Sequence, residues 1–205
     1  MAKRGYHHGN LRQALVEAAL HLIEATGPAG FTLTEAAKLA DVTPAAVYRH
    51  FGGREDLIAE AARQGYVIFA TAMHDAYEQA QPSALAGFTA TGRAYLAFAR
   101  HYPGHYIAMF ESGISVSRSP ELAAAAARAR DVLERATSDL SRQISPEKRP
   151  PAALFSAHVW ALSHGVVELF LRNSQGTQPQ SSAEDLLDSG IYTYLRGLGI
   201  VPPED

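Results

Sequence analysis

The sequence predicts an all-α protein, and three observations carry that prediction. Apolar residues recur at helical spacing along most of the 205 residues, strand-type alternation is missing, and clusters of Pro, Gly and Ser cut the chain into helix-length pieces. The pieces group into an N-terminal three-helix domain, residues 1–53, and a C-terminal helical bundle, residues 54–205, joined by a long helix.

The first helix is read from Leu11, Leu15, Ala18 and Leu22, between a cap at Asn10 and a stop at Gly27. Lys3 and Arg4 form a basic arm ahead of it, placed to reach DNA phosphates or the minor groove. The second helix is announced by Thr32 with Glu35 three residues on, a capping box, and its inner face is assigned to Ala36, Ala37, Leu39 and Ala40. After a turn at Asp41 and Val42, Thr43 is an N-cap and Pro44 opens a third helix, expected to run to about His50. Ala45 and Ala46 leave its start nearly bare. Tyr48, Arg49 and His50 put hydrogen-bonding groups around it, while Val47 and Phe51 turn inward. Two short capped helices with a tight turn and a polar second helix make a helix-turn-helix, which points to DNA. Gly52 and Gly53 end that helix, and Arg54 begins the next, where a helix N-terminus favours a phosphate.

From Arg54 to about Ala80 the apolar pattern is one helix, closed by Pro82 and roughly 40 Å long at 1.5 Å per residue. Gly65 inside it marks a bend or a close helix contact. Further helices are expected at about 84–101, 105–115, 120–143, 152–172 and 183–198. The arginines of the Ala-rich stretch, Arg128, Arg130 and Arg135, read as a solvated face. The last two helices carry apolar residues on more than one face, and a helix apolar nearly all round must bury both sides.

The net charge of −3 is unevenly distributed: residues 1–54 carry +2 and the rest −5. The DNA-facing part is therefore the positive part, with few phosphate contacts per subunit, so useful affinity requires two subunits on one operator. The absence of cysteine excludes disulfides and thiolate metal sites. With no signal-type start and no stretch expected to span a bilayer, a cytoplasmic protein without membrane partners is the expectation. His101 and His105 have four-residue spacing, but Pro103 and Gly104 between them break a regular pair, and no metal or other cofactor is expected. No nucleophile elbow is found and His164 lacks an obvious acid partner, so an enzyme is not expected.

The run Phe31 to Ala37 with Val42 to Leu57, together with the string from Tyr6 to Arg12, resembles the DNA-binding domain of the TetR family of bacterial transcriptional regulators. The segment Trp160-Ala-Leu-Ser-His-Gly165 is similar to the Trp-His-Gly motif of one C-terminal subgroup. The resemblance implies that Pro44, Ala45 and Tyr48 approach bases or sugars and that Tyr48, His50, Thr32, Thr43 and Arg54 sit on phosphates, with Arg49 beside them. Where this chain has Arg54 the family often has Lys, which keeps the charge and alters the hydrogen-bond geometry. The resemblance further implies a homodimer with a four-helix interface from the last two helices, here Phe155, Val159, Leu162, Val166, Phe170, Leu187, Ile191 and Leu195. It also implies a small-molecule effector pocket. Phe69, Met73, Phe98, Tyr102, Tyr106, Met109, Phe110, Trp160 and His164 are the candidates for that pocket, with Phe88 and Tyr95 among their neighbours; the same residue types equally make an ordinary core. The function expected is a repressor on a palindromic operator, released by its effector. The alternative is a transcriptional activator or DNA-organising protein with no small-molecule effector.

Overall fold

A computed structural model of the chain describes residues 11–172 and 181–201, all of whose regular elements are helical. Asn10, Lys3 and Arg4 fall outside the described residues.

Helix α1 (Leu11–Thr26) ends at Gly27, whose φ of 78° lies in the left-handed region that glycine enters without strain. Helix α2 (Leu33–Leu39) starts on the expected capping box: the Glu35 N–H donates to Thr32 Oγ1 at 3.2 Å and the Thr32 N–H to Glu35 Oε2 at 2.7 Å. The Thr32 hydroxyl, which donates to Glu35 Oε2 at 2.9 Å, and the Thr32 N–H together hold the Glu35 carboxyl below its ordinary pKa. Leu39 is not on the inner face; it is 49% exposed, because Leu33, Ala36, Ala37 and Ala40 centre that face about a third of a turn away. The turn is a Schellman closure, with Val42 N–H on Ala37 O at 2.9 Å, Asp41 N–H on Lys38 O at 3.2 Å and Asp41 itself at φ 55°.

Helix α3 is regular only over Pro44–Val47 and continues to residue 50 as turn, with the His50 and Phe51 N–H groups both on Val47 O. Thr43 occupies the N-cap position but makes no side-chain capping bond. Helix α4 (Arg54–Gln79) and helix α5 (Ala84–His101) match expectation closely. Helix α6 runs Pro103–Phe110 instead of 105–115, since Pro103 is pre-shaped for the first helical position and so opens the helix that it was expected to interrupt. A 3-10 turn at Val116–Arg118 precedes α7 (Pro120–Ser141). Helix α8 (Ala152–Val167) widens into π geometry over Glu168–Arg172, and α9 (Ala183–Gly197) begins on a capping box of Ser182 and Asp185.

By packing, the chain falls into two units. Of the described residues, the first holds 11–66 and 102–126, the second 67–101, 127–172 and 181–201. The first unit is built on Leu15, Val16, Ile23, Phe31, Val47, Phe51, Leu57, Tyr106 and Ile107. In it α6 lies against α1 and α4 so closely that a Cβ at Gly65 would meet Met109 Sδ at 2.6 Å, and one at Gly104 would meet the Leu20 carbonyl at 2.9 Å. Gly65 thus marks a close helix contact.

The second unit is centred on Phe69, fully buried with Tyr95 and Phe98 at 4.9 Å between ring centroids and Trp160 at 6.5 Å. Deleting such a ring leaves a large void among rigid neighbours, so Phe69→Ala is expected to cost about 3–5 kcal/mol, visible as a lowered midpoint in urea unfolding. Arg93 to Asp188 and Arg100 to Glu184, each at 2.6 Å, tie α5 to α9 along the rim.

In this unit α8 is two-faced. Phe155, Val159, Val166 and Val167 are buried, as are Leu187, Ile191 and Leu195 on α9. Of the residues expected at the dimer interface only Leu162 and Phe170 are partly exposed; the other six belong to the unit's own core. The face that α8 leaves open is Leu154, Ala157, Ala161, Gly165 and Leu169. Both stripes are apolar, so periodicity alone does not separate the one buried within the unit from the one left open. The stretch Ala152–Phe170, 19 residues with a mean hydropathy of 1.2, is by length and composition long enough to cross a membrane, contrary to expectation.

Candidate nucleic-acid interface

Helix α3 is anchored from one side and open on the other. Val47 is fully buried and Phe51 is 3% exposed, whereas Thr43, Pro44, Ala45, Tyr48, Arg49 and His50 all face solvent, Tyr48 at 62%. Thr32, at the start of α2, is exposed as well. A rigid helix presenting a Tyr, an Arg and a His beyond two alanines is shaped to approach a polyanion closely. Arg54, expected on a phosphate, has its Nη1 donating to the carbonyls of Ala29 at 2.9 Å and Phe31 at 3.4 Å. Its guanidinium therefore fastens the entry to α2, which the position alone in sequence did not reveal.

The sequence also missed a charged groove beside this helix, of about 790 Å³, lined by Arg12, His50, Asp56, Glu60, Arg63 and Arg118 among others. The Arg12 guanidinium lies 4.7 Å over the Phe51 ring and bonds Glu60 at 3.2 Å, buttressing the anchor of α3 from α1. Burial pushes the Glu60 carboxyl up, but hydrogen bonds from Arg63 and Gln64 and the charges of Arg63 and Arg12 outweigh it and hold the group below its ordinary value. Glu60 and Arg63 are three apart on one helix and so were legible; Arg12 and Arg118 come from distant segments and were not.

The N-terminus of α6 is held in the same unit. Glu24 Oε1 accepts the Gly104 N–H at 3.0 Å, and His105 Nδ1 donates to the Ala61 carbonyl at 2.9 Å. Burial depresses the His105 pKa, outweighing the Ala61 carbonyl and the Glu24 charge, which both favour the protonated ring. The unfolded chain binds this proton at about pH 6.5, the folded chain only at lower pH, so His105 costs no stability above that value and a growing amount as pH falls below it. Thermal unfolding from pH 7 to pH 5 should show a declining midpoint, shallower in His105→Gln.

The nine expected effector residues are divided between the two units. Phe69, Met73, Phe98, Trp160 and His164 belong to the second unit, Tyr102, Tyr106, Met109 and Phe110 to the first. In the first unit Tyr106 and Phe110 pack at 4.9 Å, Phe110 also meets Tyr66 at 5.9 Å, and Tyr102 is 43% exposed. In the second, Trp160 stacks on His164 at 6.1 Å and the Tyr95 hydroxyl shares a 2.8 Å hydrogen bond with His164 Nδ1. The cavity left there, bordered by Met73, Phe88, Tyr95 and Trp160, is about 10 Å³, no more than one water requires. Among the described residues no group of three or more His, Asp or Glu is placed to hold a metal.

Residues 15–61 match the family described as bacterial regulatory proteins, tetR family, and residues 88–194 match the tetracyclin repressor-like C-terminal domain. A protein of unknown function from Rhodococcus sp. RHA1 is 25% identical, with a TM-score of 0.79 over 96% of this chain and 99% of its own. The TetR family transcriptional regulator PfmR from Thermus thermophilus is similar at 17% identity and TM-score 0.66 over 90% and 98% of the two chains. The fatty acid degradation regulator FadR from Bacillus halodurans has the same fold at 12% identity, TM-score 0.72 over 96% and 97%. No curated protein matches the chain in sequence.

Proposed function

The chain belongs to the TetR family of DNA-binding transcriptional regulators, and from that premise we propose that it is a cytoplasmic homodimeric repressor that reads a palindromic operator through α3. The observation that carries this reading is the exposure of Tyr48, Arg49 and His50 on a helix fixed by Val47 and Phe51. The second copy docks on the open face of α8, where Leu154, Ala161 and Leu169 leave apolar surface in water. An effector acts on the aromatic group of Phe69, Phe98, Trp160 and His164, which it must part in order to enter, and its binding favours a spacing of the two α3 helices that does not fit the operator.

One observation favours the second reading, an activator or DNA-organising protein without effector: the cavity of about 10 Å³ admits no ligand as it stands. The test of both is selection of sheared genomic DNA by the purified protein, with Tyr48→Ala as control, followed by thermal-shift screening of apolar compounds. Enrichment of one palindromic site together with a stabilising compound that releases it supports the repressor. Enrichment with no such compound supports the alternative, and no enrichment overturns the DNA-reading assignment.

A further inference from the structure

Arg118 lies 62 residues beyond Asp56 and outside the helix-turn-helix, yet packs in the same unit. It closes the 3-10 turn that leads into α7. Its guanidinium spans the first turn of α4: Nη1 donates to Glu55 Oε2 at 2.8 Å, while Nη2 and Nε donate to Asp56 Oδ1 at 2.7 and 3.2 Å. Asp56 is engaged on both oxygens, since Oδ2 accepts the Gly52 N–H at 3.1 Å. A Cβ at position 52 would stand 2.8 Å from that oxygen, so a larger residue would push the carboxylate back from its close approach to the backbone there. Gly52 directly follows Phe51, the anchor of α3. A continuous chain of hydrogen bonds therefore runs from the end of the DNA-reading helix, through Asp56, to Arg118.

Resting on the DNA-binding reading above, we propose that Arg118 is a positioning residue for α3. It holds Asp56 where that carboxylate fixes the backbone at Gly52, and with it the direction in which Tyr48, Arg49 and His50 leave the surface. Glu55 and Asp56 are adjacent like charges that repel each other and any nearby phosphate. A planar guanidinium satisfies both at once, which a point-charge ammonium does not. All three side chains are more than a third exposed, and exposed ion pairs add little to global stability. The effect of this cluster is thus local placement.

The test combines a readout in the free protein with one on DNA. In the protein as purified, the Gly52 amide resonance is followed by NMR in Arg118→Ala and in Asp56→Asn. Binding of the genomic fragment retained by the wild type is then measured over a range of salt for both variants and the double variant. The expected result is that both single substitutions shift the Gly52 amide upfield with wild-type circular dichroism. Each should weaken binding about tenfold, and the double variant should be no weaker than either alone. The salt slope should remain that of the wild type. An unmoved Gly52 resonance in Arg118→Ala, or unchanged affinity, overturns the proposal. So does a slope reduced by about 0.9 per subunit, which would make Arg118 a direct phosphate contact. If the wild type retains no specific fragment, the DNA-binding reading fails and the positioning role with it. The Gly52 resonance still reports whether Arg118 acts on Asp56, so the two failures are told apart.

Discussion

Tyr48→Ala is expected to abolish specific operator binding while leaving the helical content and assembly state of the protein unchanged. The side chain is 62% exposed, so its loss opens no cavity, and α3 keeps its seat through Val47 and Phe51. A good side-chain contact to DNA contributes about 1–3 kcal/mol. A palindrome engages two copies, so the loss approaches about 2–6 kcal/mol, or roughly 30- to 10⁴-fold in affinity. Electrophoretic mobility shift with the selected fragment measures it. A variant that shifts the fragment as the wild type does would remove α3 from the reading role.

Ala161→Glu is expected to convert the dimer to a monomer of 22.1 kDa with undiminished helicity. Ala161 is exposed near the middle of the open α8 face. In a two-fold interface the substitution occurs twice, burying two carboxylates without partners at several kcal/mol each. Sedimentation velocity distinguishes the outcomes, and a dimer of normal stability would place the interface elsewhere. Val166→Asp is the contrasting substitution: that side chain is 5% exposed within its own unit, so the charge should unfold the second unit and not merely separate subunits.

The sequence made the helix-turn-helix legible because each of its parts is local. The capping box of Thr32 and Glu35, Pro44 at the first helical position and Val47 with Phe51 turned inward all involve neighbours within a few residues. Where expectation and structure part, the cause is long-range. Leu39 looked like core by composition, but a seven-residue helix has room for only one buried arc. The stripes of α8 are both apolar, and which of them faces α5 and α9 is decided by tertiary packing that no single-helix pattern records. Nor does spacing show that Tyr102, Tyr106, Met109 and Phe110 pack with the N-terminal helices, or that Arg54 donates to the carbonyls of Ala29 and Phe31.

The first packing unit is discontinuous, because residues 102–126 complete what residues 11–66 begin. During synthesis the N-terminal helices therefore emerge well before α6 exists to cover α1. At bacterial elongation rates the 44 residues from 67 to the end of α6 at 110 take roughly 2–9 s to appear. Over that interval the surface of α1 around Leu20 and Glu24, against which Gly104 closes in the finished protein, has no permanent cover. The nascent DNA-reading head is thus dependent on sequence that the ribosome reaches only after the whole of α5.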